Sequence, residues 1–118
     1  MNDNSLFFLC SLIEFIGRQQ KQRRGRIVEL LGENVIKRIY DYADVFHCEP
    51  IEKVADDFIL RCQIPMDDYD NVKCCRYEVP DYWEIGEVYE RLIEDLKKSS
   101  GKEMIDCIKE VYASWIND

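Results

Sequence analysis

The sequence predicts an all-α fold, a compact bundle of five or six helices with one irregular insertion. Three observations predict it. Apolar residues recur at helical spacing, most plainly at Ile51, Val54, Ala55, Phe58, Ile59 and Cys62. Capping signals and glycines punctuate the periodic stretches, and the chain has only three prolines. The period is lost once, over residues 64–80, where turn formers precede a β-compatible run at 72–79 with room for a short strand or hairpin.

The first helix is expected over residues 6–20. It is apolar nearly all round, which suits a central element. A short helix follows over 27–31, with Gly32 placed to end it. Asn34 is the expected cap of a third helix that carries Val35, Ile36, Ile39, Tyr40, Ala43 and Phe46 on one face. Pro50 suits the first turn of the fourth, since its missing N–H would be unpaired there anyway. Asp81 and Glu84 form a capping-box pattern before a helix with Ile85, Val88, Tyr89, Leu92, Ile93 and Leu96 on its buried face. Ser100 and Glu103 repeat the pattern for a last helix bearing Met104, Ile105, Ile108, Val111, Tyr112, Trp115 and Ile116.

A chain of 118 residues buries roughly two-thirds of its unfolded surface, enough for one domain with one core. A hydrophobic content of 47% excludes a wholly disordered chain, and a formal charge of −8 argues against broad coating of nucleic acid. The apolar stretch 6–16 is interrupted by Ser11 and Glu14, is too short to span a bilayer and lacks a basic flank. The expected location is therefore the cytoplasm, with no membrane association and with reduced thiols. Six cysteines are present, but Cys10 and Cys107 lie on apolar faces, where cysteine behaves as a small hydrophobe.

Candidate chemistry is sparse. Asp44, His47 and Cys48 gather at a predicted corner, with Glu52 near in sequence, and could in principle supply a nucleophile and base. No glycine-rich elbow or oxyanion motif accompanies them, and the expected reading is a helix-ending histidine with a packed or capping cysteine. Cys48 and Cys62 flank one helix and so stand about 20 Å apart at 1.5 Å per residue, too far to share a metal. Cys74 and Cys75 are vicinal and match no zinc spacing. The acidic run Asp67, Asp68 and Asp70 lacks the glycine and closing glutamate of a calcium loop. No cofactor and no metal are expected.

The basic run Arg18, Lys21, Arg23, Arg24 and Arg26 is the exception to the acidity. Arg23, Arg24 and Arg26 fall at a helix start, where positive charge opposes the dipole, and this calls for an anionic partner. That partner is the protein's own acidic half, an acidic protein or phosphate. A helix-turn-helix aligned on Gly32 would put Glu33, Arg38 and Asp41 at apolar positions, so the motif is excluded. Glu84, Glu87, Glu90, Glu94 and Asp95 are assigned to the wet face of their helix, the alternative being a nucleic-acid mimic or a face that occupies a basic partner surface. Tyr77, Tyr82 and Trp83 bracket Pro80, either as buried hinge contacts or as partner anchors.

The strings at 7–18, R-I-V-E-L-L-G, Y-D-Y-A-D-V-F-H-C and I-E-K-V-A-D-D-F-I together resemble a group of short, uncharacterised bacterial proteins. The resemblance covers about residues 7–60 and rests on core and corner residues. Some members lie in mobile-element or toxin–antitoxin-like loci, which implies a binding role and carries over no catalytic residue. The resulting expectation is a non-enzymatic protein-interaction module, antitoxin-like or immunity-like, that binds another protein such as the product of a neighbouring gene. Arg23, Arg24, Arg26, Tyr77, Tyr82 and Trp83 are its candidate contacts. Weak nucleic-acid binding through residues 18–26 is the alternative, and a small cysteine/histidine enzyme the third. The apolar faces also leave a homodimer open.

Overall fold

In the computed structural model, which describes residues 4–68 and 82–113, seven helices form and no strand is present among the described residues. They are α1 (Asn4–Gln20), α2 (Arg24–Leu31), α3 (Glu33–Asp41), α4 (Ala43–Phe46), α5 (Ile51–Cys62), α6 (Tyr82–Ser100) and α7 (Met104–Tyr112). The all-α class holds. The strand or hairpin expected within 64–80 falls mostly outside the described residues; those at 64–68 are irregular.

α1 is the axis of the bundle. Leu6, Leu9, Leu12, Ile13 and Ile16 are fully buried, and α2, α3, α4, α5 and α6 all pack on it, α6 most extensively. A helix apolar on every side is stable only when surrounded, and this one is. α7 packs on α6 and touches α2 and α3.

The helix count exceeds the expected five or six because the third predicted helix is two. Tyr42 (φ −112°, ψ 21°) interrupts it, and the main-chain carbonyl of Tyr42 accepts from the N–H groups of Val45 and Phe46 at 3.0 Å to restart the turn. The break re-aims Phe46 so that its ring meets Phe58 of α5 edge-on, centroids 5.5 Å apart. It leaves Val45 60% exposed. Three capping expectations are also corrected. α3 starts at Glu33 with Gly32 (φ 81°) as its cap, rather than at Asn34, and the same glycine donates its N–H to Val28 to close α2. Pro50 stands just before α5 rather than in its first turn. Ser100 does not cap α7; it ends α6 by donating its hydroxyl to the Leu96 carbonyl at 2.7 Å, and Glu103 takes the cap position with no side-chain bond.

α1 and α5 end in the same way. Lys21 and Gln63 adopt left-handed backbone (φ 53° and 51°). Beyond them the Gln22 N–H reaches back to Gly17 at 2.9 Å and the Ile64 N–H to Ile59 at 3.0 Å, the long-range bond of the Schellman motif. The two ends are then joined. Gln20 Nε2 donates to the Ile64 carbonyl at 3.0 Å, Gln22 Nε2 donates to the Pro65 carbonyl at 2.9 Å, and the Asp67 N–H donates to the Gln20 carbonyl at 2.8 Å. An L-residue in this conformation costs roughly 1–2 kcal/mol, part of which glycine recovers. Gln63→Gly should therefore raise unfolding free energy by about 0.5–1 kcal/mol in urea, and an unchanged or lowered midpoint would contradict this account.

Candidate functional site

Two structures on α6 concern function: a buried charge centre on its inner face and an aromatic edge at its start. Gly86 makes both possible, because a helix must lack a Cβ to approach α1 this closely. A Cβ at Gly86 would lie 2.8 Å from the Ser11 nitrogen and 2.9 Å from its Cα. The inner face of α6 is accordingly Gly86, Tyr89, Glu90 and Ile93. This rotates the helix from the apolar face read in the sequence. Val88, expected inside, is 51% exposed, and Glu90, expected outside, is 3% exposed.

The charge centre begins with Glu14, which α1 carries into the core at 1% exposure. The turn after α1 brings the start of α2 back over it. Arg24 clasps the carboxylate with two bonds, Nε to Oε1 at 2.7 Å and Nη2 to Oε2 at 3.1 Å, and Arg18 Nε adds a third at 2.8 Å. The remaining Arg24 nitrogen, Nη1, donates to the Tyr89 hydroxyl at 3.2 Å, and its guanidinium carbon lies 5.2 Å from the Tyr89 ring centre. Tyr89 in turn stacks on Tyr112 of α7, 4.7 Å apart and 7° from parallel. Burial by itself would lower the Arg24 pKa, but the bonds and field of Glu14, helped by Tyr89, outweigh it and the net shift is upward. Three helices thus meet on one guanidinium, and α7 backs the assembly through the Tyr89–Tyr112 stack. With its donors occupied by the fold, the cluster works as a latch rather than as a reactive centre.

Burial raises the Tyr89 hydroxyl pKa above the ordinary tyrosine value despite the neighbouring Arg24, and burial followed by the field and hydrogen bond of Cys10 raises Tyr112 further. Both phenols ionise more readily in the unfolded chain, at about pH 10. Their contribution to stability is therefore constant below about pH 10 and is lost as pH rises beyond it, through the raised folded values. An alkaline unfolding series should show stability falling from about pH 10 upward, more steeply than in Tyr112→Phe. Equal slopes in the two proteins would contradict the assignment.

The basic run is largely engaged within the fold. Arg24 and Arg18 face Glu14, and Arg26 pairs with Glu29 at 2.9 Å on the surface. For Arg24, the anion demanded by a cation at a helix start is the chain's own Glu14. Arg23 is exposed at the cap of α2. Gly25, between them, lies against α7, where an added Cβ would be 2.6 Å from the Tyr112 carbonyl oxygen.

At the corner, His47 and Asp44 are exposed, and Cys48 directs its exposed thiol to the Asp44 carbonyl at 3.4 Å. Among the described residues no group of three or more His, Cys, Asp or Glu is placed to hold a metal, and no helix is long and apolar enough to cross a membrane. A cavity of about 410 Å³ lies between α2, α3 and α7, floored by Val28, Ile36 and Tyr112. Glu33 and Lys109 stand on its rim, and Lys109, followed by Lys37 from outside the cavity, holds the Glu33 carboxyl below its ordinary pKa.

The aromatic edge joins α6 to α1. Tyr82 is half-buried and meets Phe15 edge-on at 5.0 Å. Trp83 tilts against Phe7 at 5.5 Å and Tyr82 at 5.1 Å, and 37% of it remains exposed. Tyr77 lies outside the described residues. Phe7 and Phe15 belong to this edge, which the sequence reading assigned simply to the apolar helix; their spacing of eight places them two turns apart on one face. Glu84 and Glu87 are exposed on the next turn, and Glu87 bonds Arg91 at 2.6 Å. No protein-family model, curated protein or solved structure significantly matches this chain, and its function is therefore read from the chemistry of these surfaces.

Proposed function

We propose that this chain is a non-enzymatic protein-interaction module, antitoxin-like or immunity-like in role, that binds a partner protein in the cytoplasm, such as the product of a neighbouring gene. One observation carries the reading. Trp83 keeps 37% of its surface exposed on a base already fixed by Phe7 and Tyr82. An aromatic held in place before binding loses little side-chain freedom on contact, and tryptophan is among the residues most enriched in binding hot spots. The mechanism is masking: the module covers a partner surface and excludes its other ligands.

Nucleic-acid binding through residues 18–26 has less support, because Arg18, Arg24 and Arg26 already face carboxylates within the chain. The test is purification of the tagged chain with the products of its neighbouring genes, followed by native mass spectrometry. The expected result is a stoichiometric complex that survives at micromolar concentration. Repeated failure to retain any neighbour would overturn the reading.

A further inference from the structure

We infer that the exposed edge of α6 around Trp83 is a docking surface for a cationic, amphipathic segment of a partner protein, with an arginine of the partner laid over the indole. The inference rests on the protein-binding reading above and adds the chemistry of the partner. Three observations bear on it.

The first is where the charge lies. Residues 67–96 contain ten acidic and three basic side chains, a balance of −7, against −1 for residues 1–66 and zero for 97–118. Nearly all the net acidity of the chain therefore comes from the segment that includes the start of α6. The second is how α6 displays it. From 82 to 96 there are five acidic side chains and one basic, Arg91. Glu84, Glu87 and Asp95 are exposed, and Glu87 lies one turn beyond Trp83. The third is the apolar content of the same stretch. Val88 is half exposed beside Glu84 and Glu87, in addition to the braced indole.

An apolar anchor within a negative field selects for a partner with the opposite arrangement, apolar residues bordered by Arg or Lys. Opposite charge speeds encounter and rejects like-charged surfaces, while the apolar contacts set the lifetime of the complex. An arginine satisfies both requirements at Trp83. Its guanidinium stacks on the indole, where the attraction is worth about 0.5–2 kcal/mol, and its charge shares Glu87, one turn away, with the exposed Arg91. Phosphate-bearing ligands are repelled by this field.

The experiment measures fluorescence anisotropy of a labelled helical peptide of leucine and arginine, arginines on one face, titrated with the full chain. The companion peptide carries glutamate in place of arginine. The expected result is micromolar affinity for the arginine peptide, weakening as salt rises, and none for the glutamate peptide. Trp83→Ala should weaken binding about thirtyfold, as loss of a hot-spot side chain does. Glu87→Lys, an exposed position that leaves the core untouched, should weaken it at least several-fold, and melting curves of both variants confirm that they fold.

Unchanged affinity in both variants, no binding at several hundred micromolar, or tighter binding to an oligonucleotide than to the peptide would each overturn the inference. So would Trp83-dependent self-association in native mass spectrometry, which would assign the surface to a second copy. If a neighbouring gene product is retained equally by the parent chain and by Trp83→Ala, the docking surface is refuted and the binding role stands. If no neighbour is retained, the role fails, whatever the peptide does.

Discussion

Gly86→Ala is expected to destabilise the protein by roughly 2–3 kcal/mol, although alanine is the better helix former by about 1 kcal/mol. The added methyl would meet the Ser11 hydroxyl and, behind it, the main chain of α1 at the Ser11 nitrogen and Cα. A rotamer change can move the hydroxyl but not the nitrogen or Cα. The two helices must separate, and the packing between them, the Phe15–Tyr82 contact included, loses its fit. Urea unfolding should show a lower midpoint with an unchanged slope. Adding Ser11→Ala should restore little, because the Ser11 nitrogen and Cα remain. A midpoint within about 0.5 kcal/mol of the parent would mean that α1 and α6 do not approach as described.

Arg24→Ala should have an effect of similar size, about 3 kcal/mol, for a different reason. It removes two of the three hydrogen bonds from a carboxylate that is 1% exposed, and Arg18 alone remains to balance the charge. The cost is chiefly that of an under-compensated buried charge, not of the lost attraction. The double variant Glu14→Leu/Arg24→Met should therefore recover most of the loss, since apolar groups of similar size often replace a buried pair without penalty. A double-mutant cycle of unfolding free energies checks this. Strictly additive effects would show that the two residues are not coupled.

The ease of reading these features from sequence differed with their physical origin. α5 was legible almost residue by residue, because its stripe from Ile51 to Phe58 rests against one side of the bundle and its period alone fixes the buried face. α6 was legible as a helix but not in its rotation. Period identifies a face only to within a residue or so, and the deciding contact is Gly86 against α1, which favours the glycine side over the more apolar Val88 side. The split at Tyr42 was not legible, since it depends on where Phe58 waits for Phe46. The Glu14–Arg24 pair left a signal that was open to use. A carboxylate in the middle of a helix otherwise apolar all round requires a buried counter-charge, and the nearest unexplained cations were those at the start of α2. The aromatic edge was visible in part: Tyr82 and Trp83 stood out beside Pro80, while their supports Phe7 and Phe15 did not.

The placement of α1 at the axis has a consequence for how the chain comes into being. Its principal neighbour, α6, begins some sixty residues later, at Tyr82. At a synthesis rate of about 5–20 residues per second, α1 leaves the ribosome several seconds before that neighbour exists. During that interval Leu6, Leu9, Ile13 and Ile16 have only the shorter α2 to α5 to cover them, and the α6 side of the rod is open to water and to other chains. The nascent polypeptide is thus most vulnerable to aggregation midway through translation, and slowing elongation before codon 82 should lower the soluble yield more than slowing it after codon 100.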